Sequence, residues 1–444
     1  LRVYAGHCRK KDSAGIMEKN GFSGFVREEW RKLLLLLSMC LIYFFSYFQR
    51  VAVPGTCFDE LQRDFNASAA AITALGSVFL YIYGFAQFFI GMAADRFGGR
   101  RTMLVGASIL AGASIVFPLA GSLPVLYLAR AFLAAGASTI FISMAKEIDV
   151  LFNPRHFALW LGISLFIGYS GGIAGTYPFE RAVSHFGWRP AMLAAAGLCF
   201  LALAAAFFVF RKFPAGRAAS PRPGNFYLGG VLKNRLSYPV AVAGAINFAV
   251  YFLFQAALGK KMLTDCCAVS SSQAAAVTFA MIIICTSFSS ASGFISRLIG
   301  NRRKPIILTG VCLTLAAVIL LSTALCGRPD RRLLTTGLVM LGLAAAPSPI
   351  VLSSIKEANA GPAAATSMGF ANCAAYIVVA VITNLAGMTM DCFREQTVAS
   401  AQGIVYPAIA YRLILAGCAG MAVVSLIAAL FIRETRGMQA GQTG

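Results

Sequence analysis

Twelve apolar runs, each about as long as the roughly 20 residues a helix needs to cross a bilayer, occupy nearly all of this 444-residue chain. Charges, prolines or glycine clusters bound each run. Too little sequence remains for a separate soluble domain, which excludes an attached catalytic or nucleic-acid-binding module. Composition agrees, since 58% of the residues are apolar, 12% are charged and the mean hydropathy is +0.74, values of a polytopic membrane protein. The net charge of +21 is compatible with a nucleic-acid partner until its distribution is laid out. With the N-terminus inside, the clusters Arg96, Arg100 and Arg101, then Arg211, Lys212, Arg217 and Arg222, then Arg302, Arg303 and Lys304 all fall on the cytoplasmic side. That asymmetry is topological. It leaves Arg328, Arg331 and Arg332 as an outward exception, and the expected partner is the lipid bilayer, not a nucleic acid.

Between the second and third runs lies Gly91-Met92-Ala93-Ala94-Asp95-Arg96-Phe97-Gly98-Gly99-Arg100-Arg101. Its glycines allow a tight turn, Asp95 can cap or approach the next helix, and its arginines cannot cross the membrane. The second half of the chain contains Gly293-Phe294-Ile295-Ser296-Arg297-Leu298-Ile299-Gly300-Asn301-Arg302-Arg303-Lys304, with glycines and arginines in the same register and Arg297 where Asp95 stands. The repetition continues. Ser143-Met144-Ala145-Lys146-Glu147 closes the fourth run as Ser353-Ser354-Ile355-Lys356-Glu357 closes the tenth, and Gly162 and Tyr169 are spaced like Gly369 and Tyr376. Ile42-Tyr43-Phe44 with Tyr47-Phe48 likewise matches Ile246-Asn247-Phe248 with Tyr251-Phe252. An internal duplication therefore covers helices 1 to 5 and 7 to 11.

The first loop resembles the G-x-x-x-D-R-x-G-R-R/K signature of the major facilitator superfamily, and the second resembles its degenerate copy. Arg433-Glu434-Thr435 resembles the closing motif of many members. The resemblance implies an all-α polytopic membrane protein with twelve transmembrane helices in two pseudo-symmetric six-helix halves. On that plan residues 1–32 are a cytoplasmic tail, 33–210 the first half, 211–238 a cytoplasmic linker, 239–432 the second half and 433–444 a cytoplasmic tail. It further implies a monomer in the cell membrane, both termini cytoplasmic, that moves a small solute by alternating access. No cofactor is implied, and no enzymatic activity.

Arg50 is the most informative candidate site residue. A charge within a span costs roughly 3 kcal/mol on insertion scales, so it faces a pathway or a partner; the alternative is an arginine that snorkels outward or pairs with Asp59 or Glu60. Tyr47-Phe48-Gln49-Arg50 resembles the Y-x-x-R of helix 1 in the organophosphate antiporters and the anion:cation symporters, where the arginine lines the central cavity. Its repeat mate is Phe254, with Gln255 beside it. A two-arginine clamp for a dianionic phosphate is thus missing, which favours an organic anion with a singly charged head such as a carboxylate. The expected substrate-binding set is Arg50, Tyr43, Tyr47, Tyr251, Gln255, Asn372 and Tyr376, with Asn247 and Asn384 as further polar positions; interhelical hydrogen bonding is their competing role. The expected gating set is Gly91, Asp95, Arg96, Gly98, Arg100, Arg101 and Arg130, together with Lys146–Glu147 and Lys356–Glu357, taken as a salt-bridged inner gate or, alternatively, as substrate contacts.

All 17 acidic residues fall in tails, loops or helix ends, so no mid-span carboxylate is available to load and release protons. Anion exchange or facilitated diffusion is therefore expected in place of proton-coupled symport, whose fallback sites are Asp59, Glu60 and the Lys–Glu pairs. The same features also fit a drug or solute exporter and a transporter-like receptor or sensor. Paired carboxylates in a long loop are lacking and the three His lie outside the spans, which disfavours a polytopic enzyme. No spacing resembles a metal site; Cys57, Cys266, Cys267, Cys326 and Cys392 are expected outside, able to pair. Met17 is a more natural start than Leu1, which makes residues 1–16 either an upstream extension or a genuine part of the cytoplasmic tail.

Overall fold

In lipid a backbone must satisfy its own hydrogen bonds, which leaves an apolar run little choice but helix. The computed structural model describes residues 22–152, 157–213, 228–359, 363–400 and 403–436; most of the expected linker and both chain ends fall outside these. Twelve long helices follow the twelve runs: α1 Phe22–Val51, α2 Ala69–Phe97, α3 Gly99–Leu119, α4 Leu123–Leu151, α5 Phe157–Ala174, α6 Trp188–Lys212, α7 Ser237–Leu253, α8 Ser271–Leu298, α9 Lys304–Ala324, α10 Arg331–Ala344 continuing as Ser348–Ala358, α11 Ala363–Asp391 and α12 Ala408–Leu430. Eleven are long and apolar enough to cross a membrane by length and composition among the described residues. The remaining one, α5, has 18 residues.

The duplication is visible in how helices begin and pack. Ser68 caps α2 by accepting from Ala71 N, and Ser270 caps α8 by accepting from Gln273 N, each satisfying an otherwise orphaned amide. Within the first half α3 packs on α4, α2 on α4, and α6 on both α1 and α3; within the second, α9 packs on α10, α8 on α10, and α12 on both α7 and α9. The halves meet mainly along α2 and α11. Burial separates centre from rim, because 83% of the apolar window of α7 is buried but only 28% of that of α6. α6 accordingly turns Leu198, Leu201, Phe207 and Phe208 outward, as a lipid-facing helix can.

Four boundaries differ from expectation. The signature stretch is no loop: α2 runs through Phe97 and α3 starts at Gly99, with Gly98 alone between them at φ +87°, a conformation glycine adopts without penalty. α1 begins at Phe22, inside the expected tail. The seventh helix, expected to end near residue 258, continues through a π-type turn to Cys267 and so buries Lys260 and Lys261. The stretch between α11 and α12 adds a two-stranded antiparallel hairpin, β1 Val398–Ser400 with β2 Gly403–Val405, to an otherwise all-α chain; its Val398, Ile404 and Val405 are strand formers too few to span. The described cysteines are free thiols, those expected to pair included.

Candidate functional site

A break in α1 sets the centre of the molecule. Pro54 has no N–H to return to Arg50, and Val53 leaves helical geometry at φ −124°, ψ 133°, so the helix gives way to a π-type turn over Ala52–Thr56. α7 breaks at the same level over Phe254–Leu258, and the two turns pack on each other. Arg130 of α4 takes up the backbone groups around the break. Its Nη1 donates to Gln49 O at 2.6 Å, its Nη2 to Val53 O at 2.7 Å and its Nε to Leu75 O at 3.2 Å, so each of its nitrogens has an acceptor although the side chain is buried.

Arg50 stands on the last turn of α1 and is 3% exposed. Its Nη1 donates to Tyr376 Oη at 2.7 Å, and its guanidinium lies 4.0 Å from the centre of the Tyr83 ring, 4.8 Å from Tyr47 and 5.3 Å from Tyr376. Desolvated cation–π contacts are worth about 2 kcal/mol, short of the several kcal/mol that burying an ion costs. Its Nε and Nη2 are buried without a partner, and none of the ion pairs among the described residues includes it. The snorkelling alternative fails. Gln49 Oε1, Gln87 Nε2 and Gln255 Nε2 are also buried and unpartnered, a concentration of unmet polar groups that a protein rarely keeps without a use.

The structure gathers most of the expected binding set here. Tyr43 lies 6.2 Å from Tyr47 and 6.4 Å from Tyr169, and Tyr47 lies 4.7 Å from Tyr169, measured between ring centres. Tyr251 packs on Phe248, which packs edge-on against Tyr376. Asn372 is half-buried, its Nδ2 3.5 Å from Gln87 Oε1. Asn247 is turned away from the centre: its Nδ2 donates to Ala344 O at 2.9 Å and its Oδ1 accepts from Thr314, which is interhelical bonding. Tyr83 and Phe79 join the site from outside the expected set. They stack at 6.1 Å, four residues apart on α2, and that spacing is the signal in the sequence that points to them.

At the end of the molecule beyond this centre, the halves are sealed together. Thr56 O accepts from Lys260 Nζ at 2.6 Å, Asp59 Oδ1 from Lys261 Nζ at 2.6 Å, and Tyr406 Oη from Gln62 Nε2 at 2.7 Å. Asp391 at the end of α11 accepts from Ala69 N and Ala70 N at the start of α2, where a carboxylate suits the helix dipole. Gly55 permits a close backbone approach, because a Cβ there would lie 2.5 Å from Ala256 O. Gly55→Ala is therefore expected to weaken this closure by about 1–3 kcal/mol. The readout is labelling of Cys57, buried in the seam, by a membrane-impermeant thiol reagent; protection equal to the parent's would show that the contact does not hold the seam.

The opposite end carries the basic clusters, and here the expected Lys–Glu gate is corrected. Successive helical residues point about 100° apart, so a lysine does not face the glutamate beside it. Glu147 Oε2 accepts from Arg100 Nε at 2.7 Å and Glu147 Oε1 from Arg100 N at 3.2 Å, whereas Lys146 Nζ donates to Ala94 O. In the second half Glu357 Oε1 accepts from Arg303 Nη2 at 2.8 Å and Glu357 Oε2 from the Thr435 hydroxyl, while Lys356 is exposed. Glu434 accepts from Arg303 N and Lys304 N, so the closing motif caps α9. Both ion pairs stay within one half. Arg96 and Arg101 are exposed, Gly91 and Asp95 lie in the last turns of α2, and the Asp95 side chain falls outside what the structure describes. Glu147→Gln is expected to lower thermal stability and to slow turnover about tenfold or more, since breaking a buried pair costs about 3–5 kcal/mol, with ligand affinity kept. Weaker binding at normal turnover would move Glu147 into the binding site.

Two six-helix halves with the same internal contacts, meeting around a buried polar centre, are the architecture of a secondary transporter. The chain belongs to the Major Facilitator Superfamily, whose sequence model matches residues 39–383, a family of small-solute transporters of the membrane and not of enzymes. Among curated relatives it is 27% identical over 177 residues to the probable sulfoacetate transporter SauU of Cupriavidus necator, covering 39% of this chain and 41% of that one. It is 33% identical over 103 residues to the multidrug resistance protein D of Escherichia coli, covering 23% and 26%. The chain thus spans less than half the length of either. Over almost the whole fold, 92% of this chain and 98% of the other, it is similar to the crystal structure of a bacterial homologue of the human lysosomal transporter Spinster in an inward-facing, unoccupied conformation, with a TM-score of 0.74 at 16% identity.

Proposed function

We propose that this multi-pass membrane protein carries a small organic anion, held at Arg50 between the halves, by alternating access. The observation that supports this reading most is a buried guanidinium with two unpartnered nitrogens and no counter-ion among the described residues. An anionic head supplies what that group lacks: a charge to offset its own, and acceptors for Nε and Nη2 in the forked geometry at which arginine excels. The flanking rings of Tyr47, Tyr83 and Tyr376 exclude water, which strengthens the pairing. One such arginine, with Phe254 in the mate position, suits a carboxylate or sulfonate better than a dianionic phosphate. The relative named as a probable sulfoacetate transporter agrees in class.

The basic end faces the cytoplasm in this reading, on the asymmetry of Lys and Arg, and the protein acts as a monomer in the cell membrane with both termini inside. The seal at Asp59, Lys260 and Lys261 then closes the outside. Purified protein screened by thermal shift against organic acids, sulfonates, sugars, phosphates and amino acids tests the substrate class, since a bound ligand raises apparent stability. Stabilisation by carboxylates or sulfonates that disappears in Arg50→Ala is the expected result. Stabilisation by neutral sugars alone, or indifference to position 50, would overturn it, and uptake of the stabilising solute into proteoliposomes separates a carrier from a receptor.

A further inference from the structure

Lys260 and Lys261 sit side by side on the continuation of α7, Gly259–Cys267, and are 3% and 2% exposed. Their partners are not alike. Lys261 pairs with Asp59 of the other half, but also with Asp265 of its own helix at 2.9 Å, and Asp265 is further held by Tyr406 N at 3.0 Å and Tyr411 Oη at 2.7 Å. When the halves part at this end, Lys261 keeps Asp265 and the pair stays neutral. Lys260 has no such second partner. Among the described residues its hydrogen bond goes to Thr56 O, across the seam, and the nearby charge of Glu60, also across the seam, acts on it only through space, since Glu60 Oε2 is buried and unpartnered. Parting the halves removes both and leaves one uncompensated ammonium on the α7 wall of the cleft.

The place of that ammonium gives it a use. Arg50, Val53 and Pro54 line a small void together with Phe252, Ala256 and Ala257 of the α7 segment, and Lys260 lies one turn beyond Ala256 and Ala257 on the same helix face. We propose that Lys260 is a second anion-binding group, at the mouth of the cleft, which meets the solute's anionic head from the Asp59 side and passes it inward to Arg50. In the sealed state the Thr56 carbonyl holds the lysine; in the opened state the solute takes its place. A cation at the mouth and another at the floor of a low-dielectric cleft raise the local concentration of anions. The register mate of Lys260 in the first half is Thr56, so the device belongs to one half alone. The inference rests on the anion-carrier reading given above.

The test reads the potential at the mouth without needing the solute. Thr264, one further turn along the face of Lys260, is replaced by cysteine in a chain whose Cys57, Cys266, Cys267, Cys326 and Cys392 are replaced by serine. The modification rates of the introduced thiol by anionic and cationic methanethiosulfonates are then compared in proteoliposomes. The anionic reagent is expected to react faster, the ratio to fall about fivefold or more in Lys260→Gln, as loss of one charge within a few ångströms implies, and Lys260→Arg to preserve it. A ratio that ignores Lys260→Gln, or an introduced thiol protected from both reagents, overturns the proposal. If anion-induced stabilisation still depends on Arg50, the mouth site fails alone; if no anion stabilises the protein through Arg50, the carrier reading has failed first.

Discussion

Arg50→Ala is expected to abolish anion-induced stabilisation, weakening affinity by roughly 30-fold to several thousandfold. Truncating one partner of a desolvated charge pair costs about 2–5 kcal/mol or more, and every 1.4 kcal/mol is a factor of about ten. Arg50→Lys keeps the charge but loses the planar fork and its stacking on Tyr83 and Tyr47, so partial loss is expected. A second readout separates function from scaffolding. Arg50 is buried without a counter-ion among the described residues, so Arg50→Met, which fills similar volume with no charge, is expected to raise the melting temperature of the ligand-free protein. A residue kept for packing would behave oppositely. Isothermal calorimetry and thermal melts on the three variants decide it; binding unchanged in Arg50→Ala, or a destabilised Arg50→Met, would remove Arg50 from the site. Arg130 serves as the contrast, since its three carbonyl acceptors are left stranded by the same substitution and stability should drop.

What can be read from the chain follows the range of the forces involved. The spans, their twofold repetition and the likeness of the two signature stretches are patterns along the sequence, and the helices follow them closely. The tyrosines near Arg50 are legible for the same reason, because Tyr43 and Tyr47 share its helix and Tyr376 repeats Tyr169. Ion-pair partners are not. Adjacency along the chain pairs Glu147 with Lys146, but a carboxylate chooses by space, and the start of α3 delivers Arg100 to it. Lys260 and Lys261 read as ordinary outer charges in the sequence, because a lysine pair after an apolar run usually ends the span. Asp265, one turn on along the same helix, is the local partner of Lys261, but the burial of the two lysines depends on Asp59, Thr56 and Ile404 converging from distant segments, and no local pattern encodes that convergence.

Exchange is expected to outrun net transport by about tenfold or more, and an imposed pH gradient is expected to drive no accumulation. To pass between inward-open and outward-open forms the carrier must close around its centre. Empty, it closes around Arg50 with two unpartnered nitrogens and no carboxylate among the described residues, a state that costs several kcal/mol for the buried ion and recovers only about 2 kcal/mol from the surrounding rings. Loaded, the anion cancels the charge and fills the fork, so the loaded form crosses faster than the empty one. Glu60 supplies a pH-sensitive element outside the spans: burial pushes its carboxyl above the usual range, with Lys260 pulling it partly back. A proton is therefore held more tightly in the sealed state than in the opened one, which favours sealing as pH falls towards the ordinary carboxylate range and loses that effect as pH rises through the raised value. Glu60 sits in the seal itself, at the end opposite the basic clusters, so its protonation changes the rate at which that end opens. Proteoliposomes loaded with unlabelled anion, against empty ones, measure the exchange ratio at zero membrane potential, and a pH jump on the same vesicles measures coupling. Equal rates with and without internal anion would refute the empty-carrier penalty, and accumulation driven by inward proton flow and abolished by an uncoupler would place a proton carrier within reach of both sides.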